Sequence, residues 1–431
     1  MNLIAQILAL LGILTNIVGI QLKKKNNILI AFMLANFLFA LCFALLNAYS
    51  GALICMIAAI QTLVKYYFDK KDKVFPKYLT ATYIVISIIS GLLTYKTVID
   101  ILPVICSILY TMSIIQEKES TLRFITLFNV ILWTIYDFAV GAYTAGINDI
   151  FLTSSTLIAI YRYDIIDKIK LKKLLKKLET FTIESNIGFL TTEIEDLGYA
   201  KFVYSETIED SIWNFITNLN FKNKKDFELK WEKLRKIMID KNRKPTLYVL
   251  PTHNKKHFPK YMQIESNEIW LVLDDFTNID NIKDAKIEVS IDSNPKVIDF
   301  ANAFMDCYNE KSSTDPYGEI PEYYKTAIIN SKENTNYKRT LYIAYYKEEA
   351  IATALTIEKD DIALIGFVGT IPKYRRKGVC NKLMKKVLKD LNNKQIKYAY
   401  LQTEKGYIPE SLYKKIGFKE VGTAIILVEQ D

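Results

Sequence analysis

The sequence predicts a multidomain chain, a polytopic α-helical membrane region followed by an α/β (α+β) region. Three observations carry this. Apolar runs fill residues 1 to about 164, an ordinary charged composition fills the rest, and from Lys338 onward two hairpins lead through a basic turn into an amphipathic helix. With 431 residues the chain is too long for one compact domain, since domains commonly hold about 100–200 residues.

The apolar runs fall at Leu3–Ile20, Ile28–Leu46, Ala52–Phe68, Tyr78–Leu93, Ile99–Ile115, Leu122–Val140 and Ile147–Tyr161. Each is near the ~20 residues a helix needs to cross a bilayer, and polar stripes, which a soluble helical core would need, are nearly absent. The first run lacks the basic leader of a secretory signal, so it reads as a retained helix. Much of the net charge of +9 lies in short loops and in the run Lys168, Lys170, Lys172, Lys173, Lys176 and Lys177. That placement favours a membrane surface and excludes nucleic acid as the expected partner. Loops one, three and five carry Lys23–Lys25, Lys70, Lys71, Lys73 and Lys77, and Lys118 with Arg123, whereas loops two and six carry no charge. Basic loops stay in the cytoplasm, so the N-terminus is expected outside and the C-terminal region inside.

Residues near 7–69 resemble those near 101–164 at an offset of about 94, with Asn47–Ser50 matching Gly141–Thr144 and Tyr66–Asp69 echoing Tyr161–Asp164. A fourth helix between the copies gives a 3+1+3 parallel repeat. This arrangement resembles the sugar-transporter (SWEET-like) and PQ-loop class, and the opening residues resemble the bacterial inner-membrane YgjV-like family. The Pro-Gln pair of the PQ-loop proteins is missing, because Val104 follows Pro103. Among the few polar residues of these helices are Asn16, Asn36, Gln61, Asn129 and Asp137, with Asn148 and Asp149 near the outer end. Asp137 is a candidate site residue by the cost of an intramembrane carboxylate, and the amides equally suit packing between helices.

The expected domains are therefore 1–164, seven transmembrane helices; 165–180, a basic juxtamembrane helix with Ile169, Leu174, Leu175 and Leu178 on one side; 181–295, an α/β segment; and 296–431. In the third, strands are expected at Phe202–Tyr204, Thr246–Leu250 and Ile269–Leu273, with helices at Ile208–Leu219 and Lys225–Asp240. His253 and His257, four apart but bracketed by Pro251 and Pro259, have no carboxylate or cysteine to complete a metal site, and no metal is expected. The five cysteines read as reduced packing residues.

The last region runs through strands "RTLYIAYY", "AIATALTI" and "IALIGFVGT" into "IPKYRRKGVCNKLMKKVLKDL". Val379, Leu383, Val387 and Leu391 recur at the spacing of one helical face that packs on a sheet. At the start of that helix the first N–H groups lack internal partners and the macrodipole is positive, so a diphosphate can be held by main chain. Gly378 permits close approach, and Arg375, Arg376 and Lys377 add charge.

"VGTIPKYRRKGVCNKLM" resembles motif A of the GNAT (GCN5-related) N-acetyltransferases, with Arg375 at its first position, Gly378 at the central glycine, and Cys380 where Gly or Ala is usual. "YLQTEKGYIPESLYKKIGFKEVG" resembles the family's closing strand, helix and Leu-Tyr-x-Lys-x-Gly-Phe signature. The resemblance covers residues 300–431. It implies acetyl-CoA or another acyl-CoA as co-substrate, held at the diphosphate by Arg376, Lys377, Gly378, Val379 and Cys380 and along the pantetheine by Phe367, Val368, Gly369 and Thr370. It also implies Tyr413 as the acid for the departing thiolate, and the Val368 N–H as a donor to the oxyanion. Gly406 and Pro409 depart from the residues usual at their positions. Strand Ile362–Thr370 lacks the carboxylate many members carry, so Glu358, Glu404, a water chain or a residue of the middle segment is expected as base. Cys307 and Cys380 have no recognisable His partner and are disfavoured as nucleophiles. The strand-helix order of 181–295 resembles the first half of a tandem GNAT protein.

The expected activity is transfer of an acyl group to an amine at the inner face of the cell membrane, on a lipid-linked sugar, an aminoacyl lipid or a peptide. The alternatives are a transporter or flippase whose fused domain modifies or senses its cargo, and an acyl-CoA sensor.

Overall fold

Uninterrupted apolar sequence favours helices with no polar face, and residues 3–159 form seven: α1 (Leu3–Ile20), α2 (Lys25–Leu45), α3 (Tyr49–Lys70), α4 (Lys77–Thr94), α5 (Ile101–Ile114), α6 (Glu119–Ala139) and α7 (Tyr143–Ala159). The computed structural model describes residues 3–45, 49–71, 73–95, 97–139, 141, 143–253, 261–308 and 319–429, so His257 lies outside the described residues. Contacts divide the chain into two compact units, Met1–Lys170 and Leu171–Asp431.

In the first unit, Leu3–Ile20, Lys25–Cys42 and Glu119–Ala139 are long and apolar enough to cross a membrane. Leu3, Ile7, Leu10 and Leu14 of α1 are exposed, as a face toward lipid would be. Helix α1 packs on α2 and α2 on α3, as α5 packs on α6 and α6 on α7, so the three-helix groups on either side of α4 share a neighbour order, and α1 also meets α7. Gly19 makes the α1–α2 approach possible, since a Cβ there would stand 2.5 Å from that of Ala31. Asn36 donates to the Tyr110 hydroxyl at 3.0 Å, which also bonds Thr62 at 2.8 Å; Asn129 and Asp137 are buried. Asp69 and Asp164 end the matching segments. Lys25 and Lys65 hold the first at 2.8 and 2.5 Å, and Arg123 holds the second at 3.3 Å.

The second unit begins within α8 (Asp167–Glu184), whose Leu175, Leu178, Phe181 and Ile183 are buried in the unit's own core while Ile169 is exposed. Strands β1 (Glu193–Asp196), β2 (Lys201–Tyr204), β3 (Phe215–Thr217), β4 (Thr246–Val249) and β5 (Met262–Leu273) follow, with α9 (Lys224–Asp240) before β4. The remainder comprises β6 (Ser290–Asp292), α10 (Val297–Cys307), α11 (Tyr323–Ile329), β7 (Lys338–Tyr346), β8 (Glu349–Lys359), β9 (Ile362–Thr370), α12 (Val379–Asn393), β10 (Tyr398–Glu404), α13 (Ile408–Ile416) and β11 (Lys419–Glu429).

All the strands join one sheet in the order β1-β2-β3-β4-β11-β5-β10-β9-β8-β7-β6. Strand β5 therefore lies between β10 and β11, antiparallel to both. Side chains alternate across the sheet. Trp270, Val272, Leu364 and Tyr400 face a core shared with α8, α10 and α11, whereas Ile269, Leu271, Ala363 and Leu401 face the core under α12 and α13.

The helix expected at Ile208–Leu219 is not formed. A short 3₁₀ turn at Ser211–Trp213 leads into β3, which pairs with β2. Asn214 explains the difference, because its side chain receives the Ser205 N–H and donates to the Ile208 and Asp210 carbonyls, competing with helical bonds.

Candidate active site

The site begins at a defect in the sheet. Strands β9 and β10 pair in parallel only from Ile362/Tyr398 to Leu364/Tyr400, and beyond that point they carry no further registered pairs. The parting coincides with a shift in the β8–β9 register between Thr353 and Leu355, and with Phe367, which takes a left-handed φ of 55°. A bulge of this kind bends a strand and re-aims its side chains. Thr353 secures it by donating to the Phe367 carbonyl at 3.0 Å, and the Phe367 ring packs 4.8 Å from that of Phe304.

After β9, the turn to α12 passes through left-handed Arg376 (φ 63°) and Gly378 (φ 84°). Arg375 holds the turn in place, its guanidinium donating to the carbonyls of Thr370 and Cys307, both at 3.0 Å. The segment before β6 closes over it. The Lys286 N–H donates to the Lys377 carbonyl at 2.8 Å, and Lys283 and Lys286 line the same cleft as the turn. The four apolar residues expected on one face of α12 are all buried.

Between β9 and β10 lies a cleft of about 1250 Å³, reaching from one sheet face to the other. Its α12 side is lined by Val368 to Thr370, Arg375, Arg376, Gly378 to Cys380, and Tyr413 of α13; its α10–α11 side by Trp213, Phe304, Ile320, Tyr324 and Glu268. Volume and main-chain turn fit a diphosphate-bearing co-substrate with room left for an acceptor.

The cleft brings together the expected residues Phe367, Val368, Gly369, Thr370, Arg375, Arg376, Gly378, Val379, Cys380 and Tyr413. Lys377 adjoins it through its carbonyl. Glu358 and Glu404 do not line it. Glu358 is buried against Lys394 at 2.8 Å, and Glu404 receives the Asn267 N–H at 2.9 Å and the Ser266 hydroxyl at 2.5 Å. The thiols of Cys307 and Cys380 are each pushed up to about 12, by burial above all, so neither is a thiolate at neutral pH.

Sequence reasoning missed Glu268, which with Asp284 is one of two acidic residues lining the cleft among the described residues. It is buried on β5 and accepts the Tyr248 hydroxyl at 2.5 Å. Burial, with the nearby Glu404 charge, raises it to about 7, against the opposing hydrogen bond from Tyr248. A lone acid sharing the Trp270–Val272 face, next to the buried run Ile269–Leu273, was the available signal.

Residues 298–418 match the acetyltransferase (GNAT) family. The second unit carries a GNAT domain. Residues 3–165 match the Imp-YgjV family, described as a bacterial inner membrane protein. No curated protein matches the sequence. Similar solved structures include a conserved protein of unknown function from Staphylococcus epidermidis, 12% identical, covering 59% of this chain and 97% of that one, with a TM-score of 0.46. A GCN5-related N-acetyltransferase from Kribbella flavida is also 12% identical, covering 60% and 96%, with a TM-score of 0.44. A tandem GNAT protein from the clavulanic acid biosynthesis pathway is 8% identical, covering 53% and 77%, with a TM-score of 0.37. In this chain β5, β11 and the loop over Gly378 lie outside the matched GNAT residues, yet β5 and that loop contribute to the cleft.

Proposed function

We propose that this chain is a membrane-anchored, acyl-CoA-dependent N-acyltransferase that acetylates an amine at the cytoplasmic membrane face. The observation that carries the reading is the cleft through the parted strands, with the Arg375–Cys380 turn on one side and an acceptor-sized apolar lobe on the other. Acetyl-CoA supplies the activated acyl group. Main-chain N–H groups from Arg376 to Cys380 bind its diphosphate, and Phe367 to Thr370 orient the pantetheine arm. The Val368 N–H stabilises charge on the thioester oxygen, and Tyr413 gives its proton to the leaving sulfur. Apolar helices anchor the domain to the inner membrane with the N-terminus outside, which brings a lipid-linked sugar, an aminoacyl lipid or a peptide within its range.

Calorimetric titration of acetyl-CoA into the detergent-solubilised full-length chain tests this. Binding that Gly378→Glu abolishes is the expected result. A folded wild-type chain that binds no acetyl-CoA overturns the reading.

A further inference from the structure

Glu268 reaches the cleft from a strand outside the matched GNAT residues, and it enters on the face opposite the α12 turn. Tyr248 occupies one of its oxygens, Oε2. The Tyr248 hydroxyl and the Trp270 indole lie against it, and the Glu404 carboxylate is near enough to act on it. A buried carboxylate held by a neutral donor retains basicity. Around it the lobe is apolar and aromatic, with Trp213, Phe304, Ile320, Tyr324, Leu355 and Phe367 on its walls. Several polar tips there are committed inward, while Asn186, whose Oδ1 has no partner among the described residues, and Gln402, which donates to Thr182 at 2.9 Å, also line the cleft. Tyr324 donates to Asp210 at 2.7 Å and receives the Trp213 indole N–H at 3.1 Å, and Asp210 also receives Tyr323 at 2.7 Å. Beyond Asn186 and Glu268, an acceptor rich in hydroxyls would leave most of its donors unpaired against these walls, whereas an apolar or aromatic body would bury its surface.

We propose that Glu268 is the general base of acyl transfer and that the acceptor is a primary amine whose nitrogen is carried by an apolar or aromatic body. The inference rests on the acyl-transfer reading above. The amine nitrogen attacks the thioester carbon, the N–C bond forms and the C–S bond breaks. The displaced N–H proton passes to Glu268, and the sulfur leaves as a thiol with the Tyr413 proton. Glu268 then releases its proton to solvent, and Tyr413 regains one.

The test uses the full-length chain in detergent, with acetyl-CoA and phenethylamine, octylamine or glucosamine as probe acceptors, read as thiol release and as acetylated product. The wild type is expected to acetylate phenethylamine or octylamine at least about tenfold faster than glucosamine in kcat/KM. Glu268→Gln should retain acetyl-CoA binding within about threefold and lose about 10²-fold in kcat, along with the acidic limb of the pH–rate profile. Glu268→Asp keeps the carboxylate and should recover part of the rate and that limb. Preference for glucosamine, or no acetylation of either apolar amine, overturns the acceptor class. Full turnover in Glu268→Gln, or its loss of acetyl-CoA binding, overturns the base. Absence of acetyl-CoA binding in the wild type overturns acyl transfer itself.

Discussion

Gly378 sits so close to Asp284 that a Cβ on the glycine would stand 3.0 Å from the aspartate's carbonyl oxygen and 3.1 Å from the Ala285 Cα. Two separate stretches of chain thus meet at the turn that begins α12, and both partners in the contact are backbone.

Gly378→Ala is therefore penalised twice, by a left-handed φ of 84° and by this contact. The expected cost is about 1–3 kcal/mol of stability, with weakened acetyl-CoA binding. Denaturant unfolding and calorimetry on the same preparation check both.

Tyr413→Phe should lower kcat about 10–10²-fold while leaving acetyl-CoA affinity within about twofold, because a proton donor is lost and the ring remains. Tyr413 is buried and packs edge-on against Phe418, 6.0 Å between centroids, so the ring position should persist. Unchanged turnover in this variant would remove Tyr413 from the mechanism.

Lys283 and Lys286 line the cleft beside the turn and are expected to meet the phosphate-bearing end of CoA. The double Lys→Ala variant should raise KM for acetyl-CoA about 3–10-fold, less at high salt, with no change for acetyl-pantetheine. Equal losses for both donors would place these lysines elsewhere in the reaction.

Glu268 titrates at about 7 in the folded chain against an ordinary 4.5. Between those values the folded state holds more protons than the unfolded state, so stability is highest below 4.5 and is lost as pH rises through 7. Glu268→Gln removes this penalty. It should gain up to about 3 kcal/mol on the wild type between pH 4.5 and 8, seen as a higher melting temperature at pH 8 than at pH 5 relative to wild type.

Much of this site was legible because its signals are local. The continuous apolar run in Ile362–Thr370, a glycine at the turn and the spacing from Val379 to Leu391 specify strand, turn and helix within one short stretch. The place of Glu268 in the cleft was not legible, because it depends on β5 entering between two strands from the far end of the chain. The segment from Ile208 to Leu219 misled for a different reason. Its apolar spacing suits a helix, and the bonds that override it come from the side chain of Asn214 and from pairing with β2.

The position of β5 also sets an order of events during synthesis. Both neighbours of Met262–Leu273, β10 and β11, are synthesised well over a hundred residues after it. Until then this strand, with its buried run Ile269–Leu273, has neither flank covered and is open to mispairing or to chaperone capture. A nascent chain stopped short of β11 would thus leave one flank of the strand that carries Glu268 unpaired.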